Sequence, residues 1–183
     1  MLSKTKEINN SNSNEDDNNI TALVGNWISA IGTVLCAISS TPSTQLSDQT
    51  LTNFNILGNL LGSAGSAIAA QLEDSLIFIV GDLLQALGGL AVVAGILEEN
   101  EDVSGLLEMQ GGLLQIVGAG VAFASQGEPT NFLQIYNIGA ILQLVGALIQ
   151  MFADTNTQEG IKLNAFGAWT QVVGAIITAL ATD

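Results

Sequence analysis

The chain has 183 residues, of which 17 are acidic and three are lysine, with no arginine or histidine and a formal charge of −14. That balance excludes ordinary binding to a nucleic-acid backbone, where several cations must displace counterions, and it opposes docking on an anionic membrane surface. The length is sufficient for one domain with a sizeable core, yet 48% of residues are hydrophobic and only 11% are charged, against roughly 25% charged in an average chain.

Residues 1–18, MLSKTKEINNSNSNEDDN, are Asn-, Ser- and Asp-rich and read as a disordered polar tail. The short basic start has no apolar run behind it, so a secretory signal peptide is not expected and a cytoplasmic location is, with membrane association as the alternative. Residues 19–183 read as one six-repeat helical domain. Apolar residues recur at three-to-four spacing, which predicts helices over 19–39, 51–71, 75–97, 103–125, 130–153 and 157–181. The connectors STPSTQLSDQ, LEDS, LEENEDVS, SQGEPTN and ADTNTQEG hold the punctuation, including the only prolines, Pro42 and Pro129. Ser, Thr and Asp stand where N-caps belong and Gly127 where a C-cap belongs. The β-prone stretches LIFIV and QVVGAIIT lack strict alternation, and their segments are too long for single strands.

Each predicted helix carries the same glycine pair at seven-residue spacing: Gly25/Gly32, Gly58/Gly65, Gly81/Gly88, Gly111/Gly118, Gly139/Gly146 and Gly167/Gly174. Four residues after the first glycine come Ser29, Gly62, Gln85, Gln115, Gln143 and Gln171. Interior glycine costs about 1 kcal/mol relative to alanine. Two per helix over six helices is therefore of order ten kcal/mol, comparable to the net stability of a domain. Close packing must offset that cost. Both glycines of a pair fall on one ridge, two turns apart, where a neighbouring backbone can approach closely. Seven-residue spacing also favours shallow, near-antiparallel crossing. The expected fold is all-α: six similar antiparallel helices in a compact repeat bundle with glycine-lined seams. The glutamines Gln85, Gln115, Gln143 and Gln171 either hydrogen-bond across those seams or line a solvated border.

GNWISAIGTVLCAISSTP, GNLLGSAGSAI, GDLLQALGG and the closing GAWTQVVGAIITALATD resemble a repetitive Gly/Leu/Gln-rich helical family of unknown function from Bacillus-type spore-forming bacteria. Its units read G-[NA]-W/L-[IL]-Q-[AS]-[IV]-G, with the Trp version first and last. The resemblance covers about residues 19–182 and departs at Ser29 and Gly62, where the unit has Gln. It implies helical repeats and no assigned activity, and it hints at a role in sporulating or stressed cells.

Catalytic constellations are not expected. Without His or Arg, and with Cys36 alone in an apolar segment, there is no Ser–His or Cys–His system and no intrachain disulfide. Cys36 reads as a small buried hydrophobe. Gly58/Gly62 has G-x-x-x-G spacing but lies inside a helix, and no phosphate loop is present. Asp82 and Glu108 interrupt apolar segments, yet they fall beside the glycine stripe and read as polar-side residues. The run EENED, 98–102, lacks the spacing and central glycine of a calcium loop. No cofactor, metal or small-molecule ligand is implied.

Uncharged runs span 18–47, 49–72, 109–127, 129–153 and 163–182, and by length several could cross a bilayer. Their many Asn, Gln, Ser and Thr residues, and connectors almost without Lys, weigh against it. The favoured expectation is a non-catalytic, self-associating helical repeat protein that covers its weakly charged surface with further copies of itself. The alternative is a membrane-inserting or pore-forming helical protein.

Overall fold

The structure, a computed structural model, describes residues 2–42, 45–72, 75–124 and 135–181, apart from the side chains of 2–16, 122, 124, 135 and 136. Six helices follow in chain order: α1 Leu2–Ser40, α2 Asp48–Leu72, α3 Leu76–Leu97, α4 Glu101–Ala124, α5 Ile135–Met151 and α6 Gln158–Leu180. Among the described residues there is no strand, in keeping with the all-α reading. The backbone of α1 takes in the polar stretch that composition marks as a tail, but its side chains through residue 16 lie outside the described residues. So do the expected start of the fifth helix at 130–134 and the expected C-cap Gly127.

Caps set several of the boundaries. Ser47 Oγ accepts from Thr50 N at 3.2 Å at the start of α2. Asn100 Oδ1 accepts from the backbone of Asp102 and Val103 ahead of α4. Thr157 Oγ1 accepts from Gly160 N at the start of α6. Each satisfies an amide that the first helical turn leaves without an intrahelical partner. Ser75 departs from the expectation, since it precedes α3 in extended conformation but makes no side-chain cap bond.

The chain forms three antiparallel hairpins, α1/α2, α3/α4 and α5/α6, within which the helix contacts are most extensive. Hairpins join through α2·α3 and, less extensively, α4·α5, and α6 returns to pack on α1. Every helix thus packs on two neighbours, in a closed ring. The α1·α6 closure is built from small side chains: Ala30 against Ala175 and Ala179, and Ala37 against Ala168 and Val172. Trp169 Nε1 donates to Thr41 Oγ1 at 2.8 Å. Alanine and glycine bring helix axes close, and their scarcity of side-chain atoms leaves little room for a large residue between them. Accordingly no large side chain among the described residues is fully buried.

Candidate functional site: glycine seams and an inward polar row

The glycine pairs meet across each hairpin. Gly32 faces Gly58 and Gly25 faces Gly65 between α1 and α2; Gly88 faces Gly111 and Gly81 faces Gly118 between α3 and α4; Gly146 faces Gly167 and Gly139 faces Gly174 between α5 and α6. The approach is reciprocal, as a local twofold in an antiparallel pair requires. A Cβ placed on Gly32 would lie 2.6 Å from the carbonyl oxygen of Gly58, and one on Gly58 would lie 2.6 Å from that of Gly32. The same 2.6 Å recurs both ways between Gly88 and Gly111. The obstructing atoms are backbone, so no rotamer change makes room. Gly25 is less tightly opposed, with the Gly65 carbonyl at 3.5 Å and Ile68 closer.

Beside each glycine sits a residue one turn along the opposite helix. Gln115 packs its Cγ on Gly88, Gln85 on Gly118, Gln171 on Gly146 and Gln143 on Gly174. In the first hairpin Ser29 occupies this place at Gly65 and Cys36 at Gly58. The methylenes or small polar groups fill the notch that the glycine leaves, and the amide heads reach beyond it. Gln143 Nε2 donates to Thr178 Oγ1 at 3.1 Å, and Gln171 Nε2 donates to Gln150 Oε1, both across the α5/α6 seam. Gln115 instead reaches past α3 to α2, donating to Asn59 Oδ1 at 3.2 Å. Gln85 turns back along its own helix to Asp82 Oδ1 at 3.3 Å.

Successive helical residues turn by about 100°. On α3 this places Gly81, Gln85 and Gly88 on the α4 side, and Ala86, Gly89 and Val93 on the α2 side. Leu83, Leu87 and Leu90 are exposed on the far side. In a closed ring the narrow sector between a helix's two contact sides faces the ring axis, and the wide sector faces outward. Asn55 and Asn59 on α2, Gln115 on α4, Gln143 and Gln150 on α5 and Gln171 on α6 occupy or border the narrow sector. These residues are half-buried, and Thr178, at the same rotation on α6, is buried. The wide sector carries large apolar residues on every helix, with the exposed Asn53, Gln71, Gln110 and Lys162 among them. Ile20, Trp27 and Ile31 of α1, Leu57 and Leu60 of α2, Leu106 and Val117 of α4, Ile138 and Val145 of α5, and Phe166 and Val173 of α6 are all exposed.

The inward row contains residues that repeat reading passes over. Asn59 Nδ2 donates to Asn55 O at 3.0 Å and Oδ1 at 2.9 Å and contacts Cys36 Sγ at 3.5 Å, so Cys36 sits half-buried in a polar setting. Ser63 is 6% exposed, its hydroxyl has no hydrogen-bond partner, and it presses on the bare backbone of Gly89. Seven-residue spacing from Gln143 marks Gln150, and four-residue spacing links Asn55 to Asn59; Ser63 and Gly89 carry no such signal. Asp82 is half-buried, while Glu108 is exposed and accepts from Ser104 Oγ at 3.3 Å. Glu98, Glu99, Glu101 and Asp102 of the acidic connector are exposed. Among the described residues no three His, Cys, Asp or Glu side chains gather as metal ligands would.

These features define a class: helical bundle proteins made of glycine-seamed antiparallel hairpins closed into a ring. The chain belongs to the DUF6944 family, a family of unknown function whose match spans residues 20–179. No curated protein and no solved structure matches it. The matched span takes in residues 20–40 of α1, the whole of α2 to α5, all but the last residue of α6, and every paired glycine.

Proposed function

We propose that this protein is a non-catalytic helical bundle that resides in a lipid bilayer. The observation that carries the reading is the radial distribution of side chains. The amides and hydroxyls of the repeat stand in the seams and toward the ring axis, whereas the outside is mostly large apolar residues; Leu76 is 73% exposed and Phe166 62%. Burying one such side chain is worth about 1.5–3 kcal/mol, so an apolar girdle left in water would forfeit a large stabilisation. A girdle around a whole monomer also exceeds the few hundred Å² patches usual on soluble surfaces.

Helix dimensions support the same reading. Three segments, Asp17–Ser40, Leu76–Leu97 and Gln158–Leu180, are long and apolar enough to cross a membrane, and each belongs to a different hairpin. Each is held to its hairpin partner by a glycine seam, the small-residue packing that serves helices in lipid. The 22 residues of α3 span about 33 Å, close to the hydrocarbon thickness of roughly 30 Å. The interruptions Asp82, Glu108 and Lys162 fall within about 11 Å of a helix start, short of mid-span. The test is reconstitution into phosphatidylcholine vesicles followed by density flotation and carbonate washing. Retention with the vesicles is expected; full recovery in the soluble fraction would overturn the reading.

A second reading is favoured by the formal charge of −14. The same outer belt could be covered by further copies of the chain, with the acidic connectors keeping the assembly in solution. A multimeric native mass, without detergent or lipid, is the outcome that would select it.

A further inference from the structure

We infer that the ring encloses a polar lane for water and similarly small uncharged solutes, narrowest where Gln115 meets Asn59; this rests on the bilayer reading above. Three observations converge on it. First, the helices close on themselves through α1·α6, so the sector facing the axis is bounded on all sides by protein. Second, the groups bordering the middle of that sector are uncharged donors and acceptors, Asn55, Asn59, Gln85, Gln115, Gln143, Gln171 and Thr178, while the carboxylates at the same rotation, Asp82 and Glu108, stand near the starts of α3 and α4, toward opposite ends of the ring. Hydrogen bonding across a packed seam accounts for Gln143, Gln171 and Thr178, whereas Gln115 leaves its own seam and reaches Asn59 over the inner side of the ring. Amides and hydroxyls both donate and accept, which suits a neutral hydrogen-bonding passenger and offers no fixed counter-charge to an anion.

Third, the bond from Gln115 to Asn59 joins α4 to α2 over the inner side of α3. It can do so because α3 presents only Gly89 there, whose absent Cβ would lie 3.0 Å from Asn59 O and 3.4 Å from Gln115 Nε2. The buried hydroxyl of Ser63 points to the same spot and has no hydrogen-bond partner. Three polar groups from two helices thus converge on a bare backbone. An unpaired hydroxyl there is where an ordered water belongs.

The experiment uses the full chain in phosphatidylcholine vesicles, with osmotic shrinkage followed by stopped-flow light scattering and insertion checked by flotation of the same vesicles. Wild-type vesicles are expected to shrink several-fold faster than protein-free ones. Asn59→Leu and Gln115→Leu should at least halve that excess, while the outward Leu87→Ala leaves it unchanged. Vesicles that float with inserted wild-type protein yet shrink like empty ones would overturn the lane and leave the bilayer reading standing. Protein that fails to float would overturn both. The wild-type comparison decides the matter even if a substituted chain does not fold.

Discussion

Helix α4 carries two rows of glycine with opposite environments. On the side toward α3, Gly111 and Gly118 lie against the backbone of the opposite helix, and a Cβ on Gly111 would stand 2.6 Å from Gly88 O and 2.8 Å from Val92 N. One residue round, Gly112 and Gly105 have nothing within 4 Å of a Cβ position. Both rows have the seven-residue spacing of the repeat. Spacing therefore says where a ridge can form, and only an opposing helix makes the ridge necessary. The contrast extends to the joints between helices. Within hairpins glycine meets glycine at close range, whereas α4·α5 is the least extensive joint in the ring.

Gly146→Leu should give the largest effect, because the branched side chain would be driven into Gly167 O at 2.5 Å and Gln171 Cγ at 2.6 Å. Overpacking commonly costs 1–3 kcal/mol and can exceed that where backbone must move, so a fall in melting temperature of about 10 °C or more is expected. A thermal melt followed by circular dichroism, shifting by less than a couple of degrees, would remove the close-packed seam from the account. Gly111→Ala comes next. Alanine gains about 1 kcal/mol of helix propensity, yet its methyl meets immovable backbone, and a net loss of about 2 kcal/mol is expected.

Gln143→Leu sharpens the comparison between seams. It removes the hydrogen bond from Gln143 to Thr178 Oγ1, for an expected loss of about 1 kcal/mol. Gln85→Leu should cost less, since that amide turns to Asp82 on its own helix. A chemical-denaturation midpoint that falls equally in both variants would show that the amide heads do not distinguish the seams. The smallest effect has the opposite sign. Gly112→Ala adds a methyl into open space and should stabilise by about 0.5–1 kcal/mol. A destabilised Gly112→Ala would mean that something closes on this row.

Much of the fold was legible in the residues. Apolar periodicity and connector punctuation locate six helices, and α3 at Leu76–Leu97 lies within a residue of the expected 75–97 at its start. The glycine pairs mark which ridge of each helix is bare. What they cannot reveal is the pairing, since any two such ridges are compatible: Gly32 opposes Gly58 because a short connector folds α2 back on α1. The polar row was half legible. Gln115 stands out by repetition, but its partner Asn59 lies 56 residues away on a helix whose unit lacks the glutamine. Ring closure by Ala30, Ala37, Ala168 and Ala175 was hidden, because alanine is common on every face of these helices.

By itself the amino-acid sequence determined the class of the molecule: helices of fixed number, a repeated bare ridge, charge confined mostly to the N-terminal stretch and the connectors, and no nucleophile–base pair. These are local properties, set by periodicity and side-chain type. The tertiary structure decided which ridges are filled, that the helices close into a ring, and that the ring turns its seam amides inward and most of its large apolar side chains outward. Those outcomes depend on the rotation of each helix against two neighbours at once. Only the assembled backbone fixes that angle, because the same stripe of small residues can face a partner, an axis or open space.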